Sequence, residues 1–166
     1  MIVDVAIELI IPDNAAYTVL LALRGLGYAE LARVERVDSL RLTVAGGASQ
    51  AADTMRALSR AEVVFNPNKH RLSYSVVDDD PMLVDPPEYE ASVHELEDET
   101  ASLTRLLVGR FELHGLQDVR RGVVWRLYEG NRSVSAQRLE AACDALLSNP
   151  HLQSASIARR PVRRSL

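Results

Sequence analysis

Residues 31–44 read LARVERVDSLRLTV and residues 116–130 read LQDVRRGVVWRLYEG, and the fold turns on what these two stretches do. In the first, Val34 and Val37 precede a run in which Leu40, Leu42 and Val44 alternate with Arg41 and Thr43. Alternation with period two marks a strand with one buried face. Asp38-Ser39 falls between the two runs and reads as a tight turn, so a β-hairpin is expected. In the second, Val123, Trp125 and Leu127 alternate with Val124, Arg126 and Tyr128, and the same hairpin is expected over Val119–Glu129, ended by Gly130-Asn131. Both of its faces are apolar or amphipathic, which implies a covering layer from the other half or from another chain.

The flanking segments follow the same order around each stretch. Val3, Val5, Ile7 and Leu9 form a first strand, stopped by Pro12, with Asp13 or Asn14 as N-cap of a helix carrying Val19, Leu20, Leu23 and Leu26. Gly25 and Gly27 end that helix. After Gly46-Gly47, Ser49 caps a helix with Ala51, Met55 and Leu58 inward; Asn66-Pro67 turns the chain into a strand with Leu72, Tyr74 and Val76. In the second half, Ala91 and Val93 lie in a strand, and Asp98 or Thr100 caps a helix with Leu103, Leu106, Leu107 and Phe111. Ser133 or Ser135 caps a helix with Leu139, Ala142, Cys143 and Leu146, and Asn149-Pro150 turns into a last strand over 152–157.

This is an internal repeat. Val34, Arg36, Arg41 and Leu42 fall on Val119, Arg121, Arg126 and Leu127 at a constant spacing (119 − 34 = 85), and Asn66-Pro67 falls on Asn149-Pro150. Between the copies, Asp78, Asp79, Asp80, Pro81, Pro86 and Pro87 read as a stiff, exposed linker rather than a metal site. The expected organisation is therefore residues 1–77 as a first module, 78–88 as linker, 89–158 as a second module and 159–166 as a basic tail. The expected fold class is α+β: two tandem ferredoxin-like β-α-β-β-α-β modules. Each would have a four-stranded antiparallel sheet with helices on one face, the two forming a pseudo-dimer.

Each module resembles PurS, the small subunit of phosphoribosylformylglycinamidine synthase, over roughly Met1–Val77 and Tyr89–Ala158. The resemblance is carried by LQDVRRGVVWRLYEG and by ACDALLSNPHLQSASI (142–157), and more weakly by LARVERVDSLRLTV and VVFNPNKHRLSYSV (63–76). Arg121-Gly122 matches the family's arginine and glycine, with Val123 where the family carries lysine. The resemblance implies a non-catalytic subunit of an ATP-dependent amidotransferase complex in de novo purine biosynthesis, without a cofactor of its own. Its implied partners are a PurL-like synthetase and a PurQ-like glutaminase, which it bridges; self-association into a homo-oligomer also fits. Partner contacts are expected from Arg36, Asn66, Pro67, Arg121, Gly122, Asn149 and Pro150, with Val123, Trp125 and Tyr128 in the core or an interface. Two other readings stand beside it: a regulatory ferredoxin-like module that binds a small molecule, and a divergent PurS paralogue with another protein partner.

The rest of the sequence offers little to catalysis. The 166 residues hold neither a Walker pattern nor a G-x-G-x-x-G. His70, His94, His114 and His151 are scattered, and Cys143 lies on an apolar helix face without a histidine partner. Glu35 and Asp38 read as solvated carboxylates. A net charge of −4 disfavours a nucleic-acid binder, and Arg159, Arg160, Arg163 and Arg164 read as a solvated end of the chain. No apolar run is long enough for a membrane span, and a single cysteine places the expected location in the cytoplasm.

Overall fold

Residues 31–44 do not fold back on themselves. In the computed structural model, which describes residues 1–77, 81–96 and 100–166, Leu31–Val44 is one unbroken strand (β2) of 14 residues. Leu116–Glu129 is another (β5) of the same length. Both expected hairpins are corrected by this. A two-residue hairpin turn needs positive φ, which Asn-Gly supplies and Asp38-Ser39 does not. The counterparts in the second copy are Val123-Val124, β-branched residues that favour extended backbone.

The other elements are β1 (Ile2–Leu9), α1 (Asn14–Gly25), α2 (Ala48–Leu58), β3 (His70–Val77), β4 (Tyr89–Glu95), α3 (Ala101–Arg110), β6 (Arg132–Ser133) and α4 (Ala136–Ala142). A π-helical turn (Cys143–Leu147), β7 (Gln153–Arg159) and β8 (Arg164–Ser165) complete the chain. Two separate four-stranded sheets do not form. One antiparallel sheet of eight strands runs β7-β4-β5-β2-β1-β3-β8, with β6 on β5. The long strands make this possible. One half of β2 pairs with β1 (Glu8↔Val37 to Ile2↔Thr43), while β5 pairs with β4 (His94↔Gly122 to Ala91↔Trp125). Between them, β2 and β5 pair along nearly their whole length.

Local signals set two of the four described helix starts. Asp13 caps α1, accepting from the N–H groups of Ala15 (2.9 Å) and Ala16 (3.1 Å). Ser135 caps α4, accepting from Arg138 N–H at 3.2 Å. Ser49, expected as a cap, lies inside α2, whose N-cap is Gly47. Thr100 precedes α3 but spends its hydroxyl on the carbonyl of Val119; Asp98, its rival as a cap, lies outside the described residues, as does the Asp78–Asp80 triplet.

All four helices cover one face, over two cores. The first joins Val3, Val5, Leu42, Met55 and Leu58 to Leu107 and Val119. The second joins Leu20, Leu23 and Val34 to Trp125, Leu127 and Leu139. Leu42 pairs with Val119 and Val34 with Leu127 at the same strand parity, so both cores lie on the same side of the sheet. Each core therefore takes a helix and half a long strand from the other half of the chain: α3 packs in the first, α1 in the second. Fully buried Leu23 and Leu107 each contribute about 1.5–3 kcal/mol to holding the two halves of the chain together.

Among the described residues, the opposite face carries no helix. Across it run residues 81–88 and 160–163, tied to one another by Val84 N–H to Arg160 O (3.0 Å), Arg160 N–H to Glu88 O (2.8 Å) and Val162 N–H to Met82 O (2.8 Å). Pro81, Met82 and Asp85–Pro87 are exposed, as a linker should be, but Leu83 bridges to Pro161. The basic segment is not simply solvated: β8 adds to β3 at Ser73 and Tyr74, Arg160 pairs with Glu88 in the neighbouring crossing stretch, and Arg163 with Glu90 on β4. No helix among the described residues is long and apolar enough to cross a membrane.

Candidate functional site on the helix-free face

The strand register writes the helix-free face out in rows. One row across the sheet is Ser73, Ala6, Ser39, Gly122, His94 and Ser154. The next includes Val37, Val124, Ser92 and Ser156. These side chains are short, and His94 lies flat against Gly122, with its Nδ1 3.2 Å from the carbonyl of Arg121. A Cβ on Gly122 would meet the His94 ring and come within 2.7 Å of the Val93 carbonyl, so glycine alone fits there.

Two arginines 85 residues apart (126 − 41 = 85) make the same cross-strand contact. Arg41 on β2 donates from Nε and Nη2 to Asp4 on β1, at 2.7 and 2.8 Å. Arg126 on β5 donates from Nε to Glu90 on β4 at 3.1 Å. Their surroundings differ. The Arg41 side chain is 43% exposed and that of Arg126 only 2%. Arg126 also pairs with Glu8 (2.9 Å) and Glu35 (3.5 Å), while Arg163 clamps Glu90 at 2.5 and 3.1 Å. Burial opposes the charge on Arg126, but Glu90 and Glu8 outweigh it and raise its pKa. The hydrogen bond that Arg41 donates to Asp4 raises the arginine's own pKa.

Tyr128 closes the end of this network. Its hydroxyl is 3.2 Å from Glu88 and 3.5 Å from Glu35, and Arg33 lies over its ring at 3.9 Å. Burial, then the charges of Glu35 and Glu88, push its pKa up to about 12. Glu35 is thus part of an ion-pair network, and Asp38 pairs with Arg36 at 2.6 Å.

Beside the network, the crossing segment roofs a cavity of about 220 Å³. Its floor includes Ser39, Ser75, Ser92, Val124 and Ser156; Pro81, Pro161 and Arg163 stand over it. Two polar atoms lining it are buried without a partner, Ser39 Oγ and Arg163 Nε.

The residues expected to contact partners are dispersed. Arg36 and Arg121 lie on the helix side, near the middle of the β2–β5 pair, and Gly122 on the opposite side. Asn66 and Asn149 open identical turns: each side-chain oxygen accepts from the N–H two residues on (2.9 and 3.1 Å). In each, a backbone carbonyl accepts from the residue four on (2.8 and 2.7 Å). These turns, with Pro67 and Pro150, lead into β3 and β7, towards opposite ends of the strand order. Trp125 and Tyr128 are buried, and Val123 packs against the second core. Cys143 is buried among apolar neighbours, which pushes its thiol up to about 11. Among the described residues, no group of three or more His, Cys, Asp or Glu could hold a metal.

Sequence reading put Ser39 in a tight turn and Arg163 in a solvated tail, and passed over Glu90. The equivalence of Arg41 and Arg126 was the one signal that pointed to this face. In comparisons with known proteins, no family model and no curated protein matches the chain.

Proposed function

We propose that this chain is a non-catalytic assembly subunit, two PurS-like modules in one polypeptide, that bridges a PurL-like synthetase and a PurQ-like glutaminase. One observation carries the reading: in the antiparallel β2–β5 pair, Asp38 lies opposite Val123, its own counterpart in the repeat (123 − 38 = 85). The two copies are thereby related about the midpoint of that pair, as subunits of a symmetric dimer are. The strand order β3-β1-β2 mirrored by β7-β4-β5 agrees with this.

On this reading each core is a ferredoxin-like unit completed by exchange. The first takes α3 and the leading half of β5 in place of its own α1 and leading half of β2, and the second does the reverse. Opening the expected hairpins into long strands is what an exchange of this kind requires. Joining the copies in one chain fixes the pairing that a dimer would reach by association. Arg36 and Arg121, related by the repeat and near its midpoint, are the partner contacts this reading favours, beside Gly122 and the Asn66-Pro67 and Asn149-Pro150 turns.

The test is size-exclusion chromatography of the purified chain with the synthetase and glutaminase subunits, with glutamine and nucleotide present. A ternary complex is expected, weakened by an Arg36→Glu/Arg121→Glu variant. Separate elution of all three proteins would overturn the reading.

A further inference from the structure

We propose that the cavity on the helix-free face binds a small hydroxy- or amino-substituted monocarboxylate. This site is independent of any protein partner. It rests on the shape of the face, on the polar atoms left without partners and on the charge of the lining.

The space exists because the floor is made of short side chains. Ser39, Ser75, Ser92 and Ser156 stand where longer residues would reach the crossing segment and close the gap. A volume of about 220 Å³ is that of about seven waters at ~30 Å³ each, and below the ~300 Å³ at which pockets for drug-sized ligands begin. It suits a molecule of a few carbons. Val124, Pro81 and Pro161 give such a skeleton apolar contact, and the serines can bond to its substituents.

The unused hydrogen-bonding capacity calls for an acceptor. Both carboxylates in the described lining are already engaged: Asp4 by Arg41, and Glu90 by Arg126 and Arg163. What remains includes Arg163 Nε, a pure donor on a side chain only 10% exposed, and the Ser39 hydroxyl, which also donates. A buried donor left unpaired costs about 1–3 kcal/mol, so the site gains when an acceptor enters. A carboxylate offers two oxygens to such donors and forms its strongest bonds with a guanidinium. Arg159, opposite Tyr89, lies at the parity of the helix side, so on this face Arg41 and Arg163 balance Asp4 and Glu90 in the described lining, with no positive charge to spare for a dianion. That matches a monocarboxylate better than a phosphate dianion, and no glycine-rich loop is present to cradle a phosphate.

The experiment titrates the full chain with glycolate, L-lactate, L-serine and L-glutamine, each against the amide that replaces its carboxylate, and with inorganic phosphate and sulfate. The melting temperature and heats of binding are read. At least one acid should raise the melting temperature saturably, and its amide should not. Ser39→Val places at this position the residue found at its repeat counterpart, Val124, and so disturbs the strand little. It should lower affinity at least about tenfold, the loss expected for one hydrogen bond to a charged group, and Ser92→Val should weaken binding by filling the same space. No response to any of the four acids at about 10 mM overturns the proposal. So does an equal response to sulfate and phosphate, which would mark a general anion site, and so does unchanged affinity in a folded Ser39→Val variant.

Discussion

Arg126 and Glu90 form a buried ion pair between β5 and β4 where, one repeat earlier, Arg41 and Asp4 form an exposed one between β2 and β1. The same contact thus sits in two dielectric environments of one molecule. Removing Arg126 strands Glu90, Glu8 and Glu35 with less compensation, and Arg126→Ala should cost about 3–5 kcal/mol in urea unfolding. Arg41→Ala should cost about 0–1 kcal/mol. Equal losses at the two positions would refute the contrast. An Arg126→Met/Glu90→Met double variant should recover part of the loss, since paired apolar replacements avoid a lone buried charge.

The exchanged packing bears on what each half does alone. Residues 1–77 lack Leu103, Leu107 and Val119 of the first core, and residues 81–166 lack Leu20, Leu23 and Val34 of the second. Neither fragment should give a dispersed NMR spectrum as a monomer. Mixed in equal amounts, they should combine into a 1:1 complex with the spectrum of the intact chain. A well-folded monomer of either fragment would contradict the exchange.

Gly122 faces a wall on β4. A side chain there meets the His94 ring and the Val93 carbonyl, the latter 2.7 Å from a Cβ. Gly122→Ala should destabilise by about 1–3 kcal/mol. Adding His94→Ala should relieve only part of this, because the carbonyl belongs to the paired backbone. Full rescue by His94→Ala would mean that the ring alone makes the position tight.

Tyr128 gives the protein a sensitivity to alkali. Its pKa of about 12 in the folded state compares with about 10 in an unfolded chain. Above about pH 10 the unfolded state sheds this proton while the folded state keeps it, so stability falls as pH rises towards about 12. Below about pH 10 the group is neutral in both states and adds no pH dependence. Tyr128→Phe should flatten the decline of the urea midpoint across that window, and should remove a step near pH 12 from a tyrosinate absorbance titration. A variant with an unchanged decline would show that the Tyr128 proton has no part in it.

Much of this architecture was legible in the sequence, because its signals are local. Val3, Val5 and Ile7 declared a strand, Asp13 and Ser135 declared helix starts, and Asn66 and Asn149 declared matching turns. The hairpins failed because Asp38-Ser39 was read by composition, while the deciding evidence stood 85 residues away in Val123-Val124. Alternation cannot say whether a polar pair in mid-strand turns or continues; only the partner strand settles it. The candidate site was hidden for a related reason. Ser39 and Arg163 are 124 positions apart (163 − 39 = 124) and line one cavity only because residues 160–163 cross the face. Nothing periodic announces such a crossing.

The sharing of elements between the two cores also bears on the order of events during synthesis. The first core cannot close until Val119 has been made, nor the second until Leu147. As it leaves the ribosome, the first half therefore exposes apolar surface that its own residues cannot cover, for as long as α3 and β5 are still being translated. At about 5–20 residues per second that interval lasts seconds. Strands awaiting distant partners are sites of mispairing with other chains. A molecule built in this way gains a fixed union of its halves in the finished state, and meets its greatest hazard of aggregation before that state is reached.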